Sequence, residues 1–296
     1  MFNRKVVALG EIYNDFILSK KSILVSDGMI RFYDFTAKRF VGWLEKEGVN
    51  NPKNIHAKHV RQFLSELANR GLSDSYLHGN ARAIKTFCKF LYHEGFIKEE
   101  IKFQMPPIRK KLLPVLNAEK LNVVLSACES IRDRAIIMFM VDTGLRRAEV
   151  CSLNWEDVNL NTGVVILKKG KWSKPRSVMI GLQTRKIISE YKRKIKAPDN
   201  SPLFQNSNGK SGKRLSPTGL RSLMVRLTNK TGIHFTCHAL RRTCATLSVK
   251  AGMNLIHLQS ILGHASLEMT LHYVTMLEED LIEAHKSYGA VDKFIT

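Results

Sequence analysis

The segment HALRRTCATLSVKAGMNLIHLQSILGHASLEMTLHY occupies residues 238–273. Its apolar residues recur at helical spacing, which predicts helices over residues 238–251 and 254–262. A glycine directly after a periodic run marks a helix end, so Gly263 places the turn at which the second helix stops. The segment therefore predicts two short helices followed by a tight turn.

Several side chains of this segment could do chemistry. His238 and Arg241 lie three residues apart and share one helix face. Arg242, four residues from His238, satisfies the same geometry, and spacing alone does not choose between the two arginines. His264 stands at the end of the second helix, and Tyr273 follows nine residues later.

Two further features lie upstream of this segment. Residues 143–149 read TGLRRAE, a glycine turn that leads into a short helix and can direct Arg146 outwards. Residues 163–167 and 176–180 predict two strands joined as a hairpin, with Lys171 at its tip. The remaining helices that periodicity predicts in this half of the chain cover residues 118–127, 132–142, 183–196 and 216–230.

The N-terminal half predicts a helical bundle. Amphipathic helices are expected over residues 31–44, 56–69 and 73–94. The first of these places Phe32, Phe35, Phe40 and Leu44 at helical spacing. The third carries Arg82, Lys85 and Lys89 on its polar face.

The helical pattern breaks between residues 104 and 114. This stretch contains three prolines and the consecutive basic residues Arg109, Lys110 and Lys111. Because proline removes helix donors and fixes an extended backbone, the stretch predicts a basic linker. We therefore expect an N-terminal helical domain over residues 1–103, a linker over 104–114 and a C-terminal domain over 115–296.

The charge of the chain indicates a polyanionic partner. The 296 residues include 47 Lys and Arg against 26 Asp and Glu, a formal net charge of +21. Residues 1–112 hold 20 basic and 11 acidic residues, and the rest holds 27 and 15. A basic tail would concentrate the excess at one end, whereas an even spread suits two domains that bind one long polyanion such as DNA.

Other classes of protein are not indicated by the sequence. The longest apolar run, residues 135–141, is far shorter than the ~20 residues of a membrane span. Five scattered cysteines without a CxxC pair are typical of reduced thiols in a cytoplasmic protein. No phosphate-binding or dinucleotide-binding glycine motif is present, and His234 and His238 have no carboxylate beside them, so neither a cofactor nor a metal is expected.

Taken together in this order, TGLRRAEV, a hairpin lysine, HALRR, LGHAS and a tyrosine nine residues after the last histidine resemble the tyrosine recombinase (phage integrase) family. The likeness is greatest to its short Xer-like and transposon-type members. It covers residues 115–285 by motif and residues 11–100 by layout. It implies a mainly α fold with a small β-hairpin. In that fold an N-terminal SAM-like core-binding bundle and a mixed catalytic domain form a C-shaped clamp on DNA.

The resemblance also implies a role for each motif residue. Arg146 and Arg241 correspond to the arginines that clamp the scissile phosphate, and Tyr273 to the nucleophile. Glu149 takes a supporting position. The remaining catalytic positions fall on Lys171 in the hairpin, with Lys169 as the alternative, and on His238 and His264. The DNA-backbone contacts that we expect are Arg82, Lys85, Lys89, Arg109, Lys110, Lys111 and Arg242.

The implied reaction breaks and rejoins DNA strands through a 3′-phosphotyrosine, without metal or ATP. It would serve the integration or excision of a mobile element, or the resolution of DNA dimers. The resemblance further implies that an apolar tail over residues 277–284 docks into a neighbouring protomer. Four identical or related protomers would then assemble on two inverted-repeat sites. The alternatives are a type IB topoisomerase-like relaxing enzyme and a noncatalytic DNA-binding regulator.

Overall fold

The computed structural model describes residues 8–109, 115–168, 175–206, 212–264, 266–271, 285–286 and 289. The chain forms two compact units, Met1–Lys111 and Leu112–Thr296. In the described residues the chain is mostly helical with a small two-stranded antiparallel sheet, which confirms the predicted fold class. No helix within these described ranges has both the length and the apolar composition needed to cross a membrane.

The described residues of the first unit form four α-helices, of which the sequence predicts three. Side-chain caps account for two helix starts, because Ser26 accepts from the N–H of Met29 and Ser73 from that of Tyr76. The helix that was not predicted follows Ala8, which provides no side-chain cap. The bounds are α1 Leu9–Ser22, α2 Asp27–Lys46, α3 Ala57–Asn69 and α4 Asp74–His93.

An aromatic cluster forms the core of this unit. Phe16 packs edge-on against Phe87 at a centroid distance of 5.4 Å, and Phe40 packs against Phe63 at 5.3 Å. All four rings are buried. Phe35, which helical spacing placed on the same apolar stripe, instead lies in the solvent-facing part of α2 with 58% of its surface exposed.

In the described part of the second unit, helices surround a short β-hairpin. Its helices are α5 Ala118–Ser126, α6 Ile131–Thr143, α7 Arg147–Ser152, α8 Leu182–Ile195, α9 Pro217–Thr231, α10 Cys237–Lys250, α11 Leu255–Leu262 and α12 Leu267–Leu271. The strands β1 Val164–Leu167 and β2 Arg176–Met179 pair antiparallel, with Leu167 opposite Arg176. Helix α12 was not predicted, and the other elements begin and end within a few residues of their predicted bounds.

Helix α6 is the centre of the second unit. Apolar residues lie on all its sides, and Ala135, Ile136, Ile137, Phe139 and Met140 are all fully buried. A helix that is apolar all round must be enclosed by other elements, and α6 packs against α8 and α10. Burying a large apolar side chain contributes about 1.5–3 kcal/mol. This packing fixes α10, the helix that carries His238 and Arg241.

Candidate active site

Helix α10 directs Arg241 towards the interior of the second unit. Thr236 caps the helix by accepting from the N–H of Ala239 at 3.2 Å. Arg241 is 2% exposed, and it donates from Nη1 to the carbonyl oxygen of Gly144 and from Nη2 to that of Leu262, both at 2.7 Å. The next residue, Arg242, is half-buried. The structure therefore places Arg241, and not Arg242, against the ends of α6 and α11. The spacing in the sequence did not distinguish between these two arginines.

A glycine turn delivers Arg146 to the same place. Gly144 ends α6 in the left-handed region, with a φ of 60°, and its N–H donates to the carbonyl of Met140. A Cβ at this position would come within 2.7 Å of a methyl group of Leu262 and 3.0 Å of the Cys244 sulfur. Glycine is thus required both for the backbone conformation and for the close packing of the turn. Two residues after Gly144, Arg146 is the N-cap residue directly before α7.

Glu149 lies between two guanidinium groups. Its Oε2 accepts from the backbone N–H of Arg146 at 2.8 Å, and its Oε1 accepts from Nη1 of Arg146 at 3.3 Å. Both carboxylate oxygens also accept from Arg176, at 3.0 Å each. Burial raises the pKa of Glu149, but hydrogen bonds from Arg176 and from the N–H of Arg146 outweigh it and lower the pKa overall. The carboxylate is therefore ionised, and it orients both arginines.

Arg176, the first residue of β2, also belongs to the site, although it is not among the predicted site residues. It donates from Nε to the carbonyl of Ile261 at 3.2 Å, besides its bidentate pair with Glu149. Its guanidinium lies so close to Gly263 that a Cβ there would be 2.9 Å from it. The available signal was a basic residue on a short strand directly after the hairpin loop.

The end of α11 completes the described part of the site. Gly263 adopts a φ of 64°, and its carbonyl oxygen accepts from Nη2 of Arg146 at 3.2 Å. His264 follows, 8% exposed, with its Nδ1 at 2.9 Å from Oγ1 of Thr270. The ends of α6 and α11 therefore hold three arginines and a histidine together.

The electrostatics of this cluster favour an anion. Burial is the largest cause that lowers the pKa of His264, to about 4, and Arg241, Arg146 and Arg176 add to it. The pKa of His238 is also lowered, first by burial and then by Arg241, Arg242 and other nearby arginines. Both imidazoles are thus neutral at pH 7, beside guanidiniums that keep their charge. Such a cluster suits a phosphate group.

Several predicted site residues lie outside the described residues. They are Tyr273, Lys171 and its alternative Lys169, the linker residues Lys110 and Lys111, and the tail 277–284. Lys168, just before the hairpin loop, pairs with Glu156 at 2.6 Å and Asp157 at 2.9 Å. In the parts of the chain that the structure does describe, no three His, Cys, Asp or Glu side chains gather as a metal site would require.

The predicted DNA-backbone contacts of the first unit lie on its surface. Arg82, Lys85 and Lys89 are exposed along one side of α4, whereas Ile84 and Phe87 on the same helix are fully buried. The Arg82 guanidinium lies 5.5 Å from the centroid of the Phe32 ring. Arg109 is 86% exposed at its side chain and lies 3.8 Å from a carboxylate oxygen of Asp74.

Comparison with known proteins identifies the family of the chain. Residues 113–279 match the model of the phage integrase family. The chain belongs to the phage integrase family. These proteins are the tyrosine recombinases, enzymes that cleave and rejoin DNA strands through a tyrosine intermediate.

Individual relatives support this family assignment. The chain is 30% identical to the tyrosine recombinase XerA of Pyrococcus furiosus, over 91% of both chains. It is 27% identical to transposase A of transposon Tn554 from Staphylococcus aureus, over 84% of this chain and 76% of the transposase. The solved structure of the XerH site-specific recombinase bound to a palindromic difH substrate superimposes with a TM-score of 0.69 at 26% identity. That superposition covers 88% of this chain and 80% of XerH.

Proposed function

We propose that this protein is a site-specific DNA recombinase in which Tyr273 forms the covalent link to DNA. One observation carries the proposal: Arg146, Arg241 and His264 converge at the ends of α6 and α11 in a chain of this family. The two histidine motifs and the arginine motif are far apart in sequence. The fold brings them together where a phosphodiester could bind.

The charge arrangement fits phosphoryl transfer. The guanidiniums of Arg146 and Arg241 would bind the nonbridging oxygens of the scissile phosphate and stabilise the charge of a pentacoordinate transition state. The bonds from Arg241 to two backbone carbonyls hold its guanidinium in place before substrate binds. Preorganised charge of this kind lowers the barrier without a rearrangement during the reaction.

The remaining groups move protons. Tyr273 would attack phosphorus, and its phenolic proton would pass to His238, whose lowered pKa leaves it neutral and able to accept. The bond from phosphorus to the 5′-oxygen would break as Lys171 donates a proton to that oxygen. The products are a 3′-phosphotyrosine and a free 5′-hydroxyl. Attack by a 5′-hydroxyl on the phosphotyrosine reverses these transfers and joins the strands.

DNA binding is assigned to both units. The exposed basic side of α4 would contact phosphates from the first unit, and Arg109 to Lys111 would continue these contacts through the linker. The second unit would bind the scissile phosphate at the arginine cluster. The division into a core-binding domain over residues 1–103, a linker and a catalytic domain over residues 115–296 is part of this proposal.

The biological role is either dimer resolution or movement of a mobile element. The likeness to a transposon's transposase favours the second role, and the likeness to XerA recombinases leaves the first open. In both, we expect four protomers on two inverted-repeat sites, joined by exchange of the tail 277–284. The partner protomers are copies of this chain or of a related recombinase.

The experiment that tests the proposal is covalent trapping in the host. Cells that express the wild-type protein or Tyr273→Phe are lysed in SDS, and the DNA attached to the protein is recovered and sequenced at its 3′ ends. We expect attachment at one or a few inverted-repeat sites for the wild type and none for the variant. DNA binding, measured in parallel by crosslinking, should be equal for both.

Other outcomes would contradict parts of the proposal. Attachment scattered over the genome would indicate a relaxing enzyme instead of a site-specific recombinase. Attachment that persists in Tyr273→Phe would remove this tyrosine as the nucleophile. Binding without attachment by either protein would indicate a regulator.

A further inference from the structure

The hydroxyl group of Thr270 contacts His264, one of the proposed site residues. Thr270 lies on α12 and is fully buried, and its Oγ1 is 2.9 Å from Nδ1 of His264. Tyr273 follows three residues later in the chain. This contact therefore links the histidine at the end of α11 to the segment that leads to the nucleophile.

The Thr270 hydroxyl is used differently from the hydroxyls of four other helical threonines. The hydroxyls of Thr36, Thr86, Thr143 and Thr231 each donate to the backbone carbonyl four residues earlier. Among the residues that the structure describes, Thr270 makes no such bond, and Nδ1 of His264 is its one hydrogen-bond partner.

Hydrogen-bond satisfaction favours the Thr270 hydroxyl as the donor to Nδ1. If Nδ1 carried a hydrogen, the hydroxyl would have to accept it, and its own proton would be buried without an acceptor. An unsatisfied buried donor costs about 1–3 kcal/mol. If the hydroxyl donates to Nδ1, that penalty is avoided. A neutral imidazole that accepts at Nδ1 carries its hydrogen on Nε2.

We propose that Thr270 is a positioning residue that fixes His264 as the neutral Nε2–H tautomer. In this form the ring can only donate at Nε2. On the proposed function, the acceptor is a nonbridging oxygen of the scissile phosphate. The tautomer itself is a property of the free protein, so it can be measured without DNA.

The surroundings of His264 agree with a neutral ring. Burial lowers its pKa, and the charges of Arg241 on α10, Arg146 just before α7 and Arg176 on β2 lower it further, to about 4. A second proton on Nδ1 would also displace the Thr270 hydroxyl from its acceptor. Thr270 and the three arginines therefore all favour the neutral form of the His264 ring.

The test is the tautomeric state of His264 in the free protein. Protein labelled with ¹⁵N-histidine is studied by long-range ¹H–¹⁵N correlation, and the His264 signals are assigned by their absence in His264→Gln. For the wild type at pH 7 we expect a protonated Nε2 and an unprotonated Nδ1. Thr270→Ser keeps the hydroxyl and should give the same pattern. Thr270→Val removes it at nearly constant volume and should shift both ring nitrogens towards the average of two tautomers.

The following measurements separate a positioning role of Thr270 from a general loss of folding. The signals of the other nine histidines should be unchanged in Thr270→Val, since the chain has ten in all. At the trapped DNA site, Thr270→Val should slow cleavage about tenfold, as expected when one donor worth about 1.4 kcal/mol is removed. The double variant with His264→Gln should be no slower than His264→Gln alone.

Three results would overturn the inference. They are an Nδ1–H tautomer in the wild type, an unchanged tautomer in Thr270→Val, and additive losses of cleavage in the double variant. If the tautomer depends on Thr270 but no DNA is ever trapped, the inference stands and the proposed function fails. The two are therefore distinguishable.

Discussion

Glu149 provides one negative charge to two guanidiniums of the site. It forms a bidentate pair with Arg176 and bonds to both the backbone and the side chain of Arg146. Its side chain is 16% exposed and that of Arg176 is 13% exposed. Removing one partner of such a pair leaves the other charge poorly compensated in a desolvated place.

We therefore expect Glu149→Gln to destabilise the second unit by about 2–3 kcal/mol at pH 7. The change is measured by urea unfolding in a Trp43→Phe background, because the remaining tryptophans, Trp155 and Trp172, both belong to the second unit. Glu119→Gln, an exposed position on α5, is the matched control and should shift stability by less than about 0.5 kcal/mol.

The effect of Glu149 should depend on pH with a defined sign. Its pKa in the folded protein lies below the ordinary value of 4.5, so the ionised form stabilises the fold fully above that pH. The contribution is lost as pH falls through the lower folded value, because both states then bind the proton. At that low pH, the difference in the free energy of unfolding between the wild type and Glu149→Gln should disappear. A gap that stays constant with pH would show that the charge of Glu149 is not the cause.

For single residues, the sequence predicts which residue types form the site but not which contacts they make. Spacing could not separate Arg241 from Arg242, because positions three and four residues away both face His238. Only packing decided, since Arg241 reaches carbonyls of Gly144 and Leu262 that are far away in sequence. Arg176 was missed for a related reason: its partners Glu149 and Ile261 are distant, and a short amphipathic strand gives no sign of them.

Among the elements, the glycine-ended helices α6 and α11 determine where the arginines meet. Each helix ends in a left-handed glycine, and the carbonyls at these two ends accept from Arg241 and Arg146. A side chain at Gly144 would press on Leu262 and Cys244. Two features therefore require glycine at this turn: its left-handed backbone conformation and its close packing against α10 and α11.

Another left-handed glycine provides the control for Gly144. Gly232 ends α9 with a φ of 70°, and no atom of the described residues lies within 4 Å of where its Cβ would be. Gly232→Ala should cost about 1 kcal/mol from backbone strain alone. Gly144→Ala carries the same strain and a clash, and should cost about 1–3 kcal/mol more. It should also reduce the rate of covalent trapping, whereas Gly232→Ala should leave that rate unchanged.

Urea unfolding and trapping rates measure the two effects separately. Equal destabilisation by the two variants would show that the Gly144 turn relaxes freely and that its packing is not required. Equal trapping rates would show that the turn does not position Arg241.

Most elements were predictable because their signals are local. Apolar periodicity and caps such as Ser73 placed α4 and the other long helices to within a few residues. Helix α1 was missed because Ala8 gives no capping signal, and the five-residue α12 is too short to show a period. The exposure of Phe35 was not predictable from spacing, since its neighbours Phe32 and Phe40 turn towards the core.

For the whole molecule, the distribution of charge is the property most evident from the sequence. The excess of basic residues is spread over both units, and Arg82, Lys85 and Lys89 form an exposed side of α4. Binding of such residues to phosphates releases counterions and makes affinity depend on salt. Contacts of this kind position a protein on DNA and carry no information about base sequence.

Salt dependence can test whether this side of α4 binds phosphates. The double variant Lys85→Ala/Lys89→Ala should weaken binding to any duplex. The plot of log K against log salt has a negative slope, and its magnitude should decrease by about 2, roughly one for each phosphate that is no longer neutralised. The matched control Lys21→Ala/Lys46→Ala removes the same charge from exposed positions on α1 and α2, and its slope should stay near that of the wild type. Fluorescence anisotropy with a duplex of arbitrary sequence at several salt concentrations is sufficient, because these contacts do not read bases. Equal slopes for the two double variants would mean that net charge, and not the α4 surface, attracts the DNA.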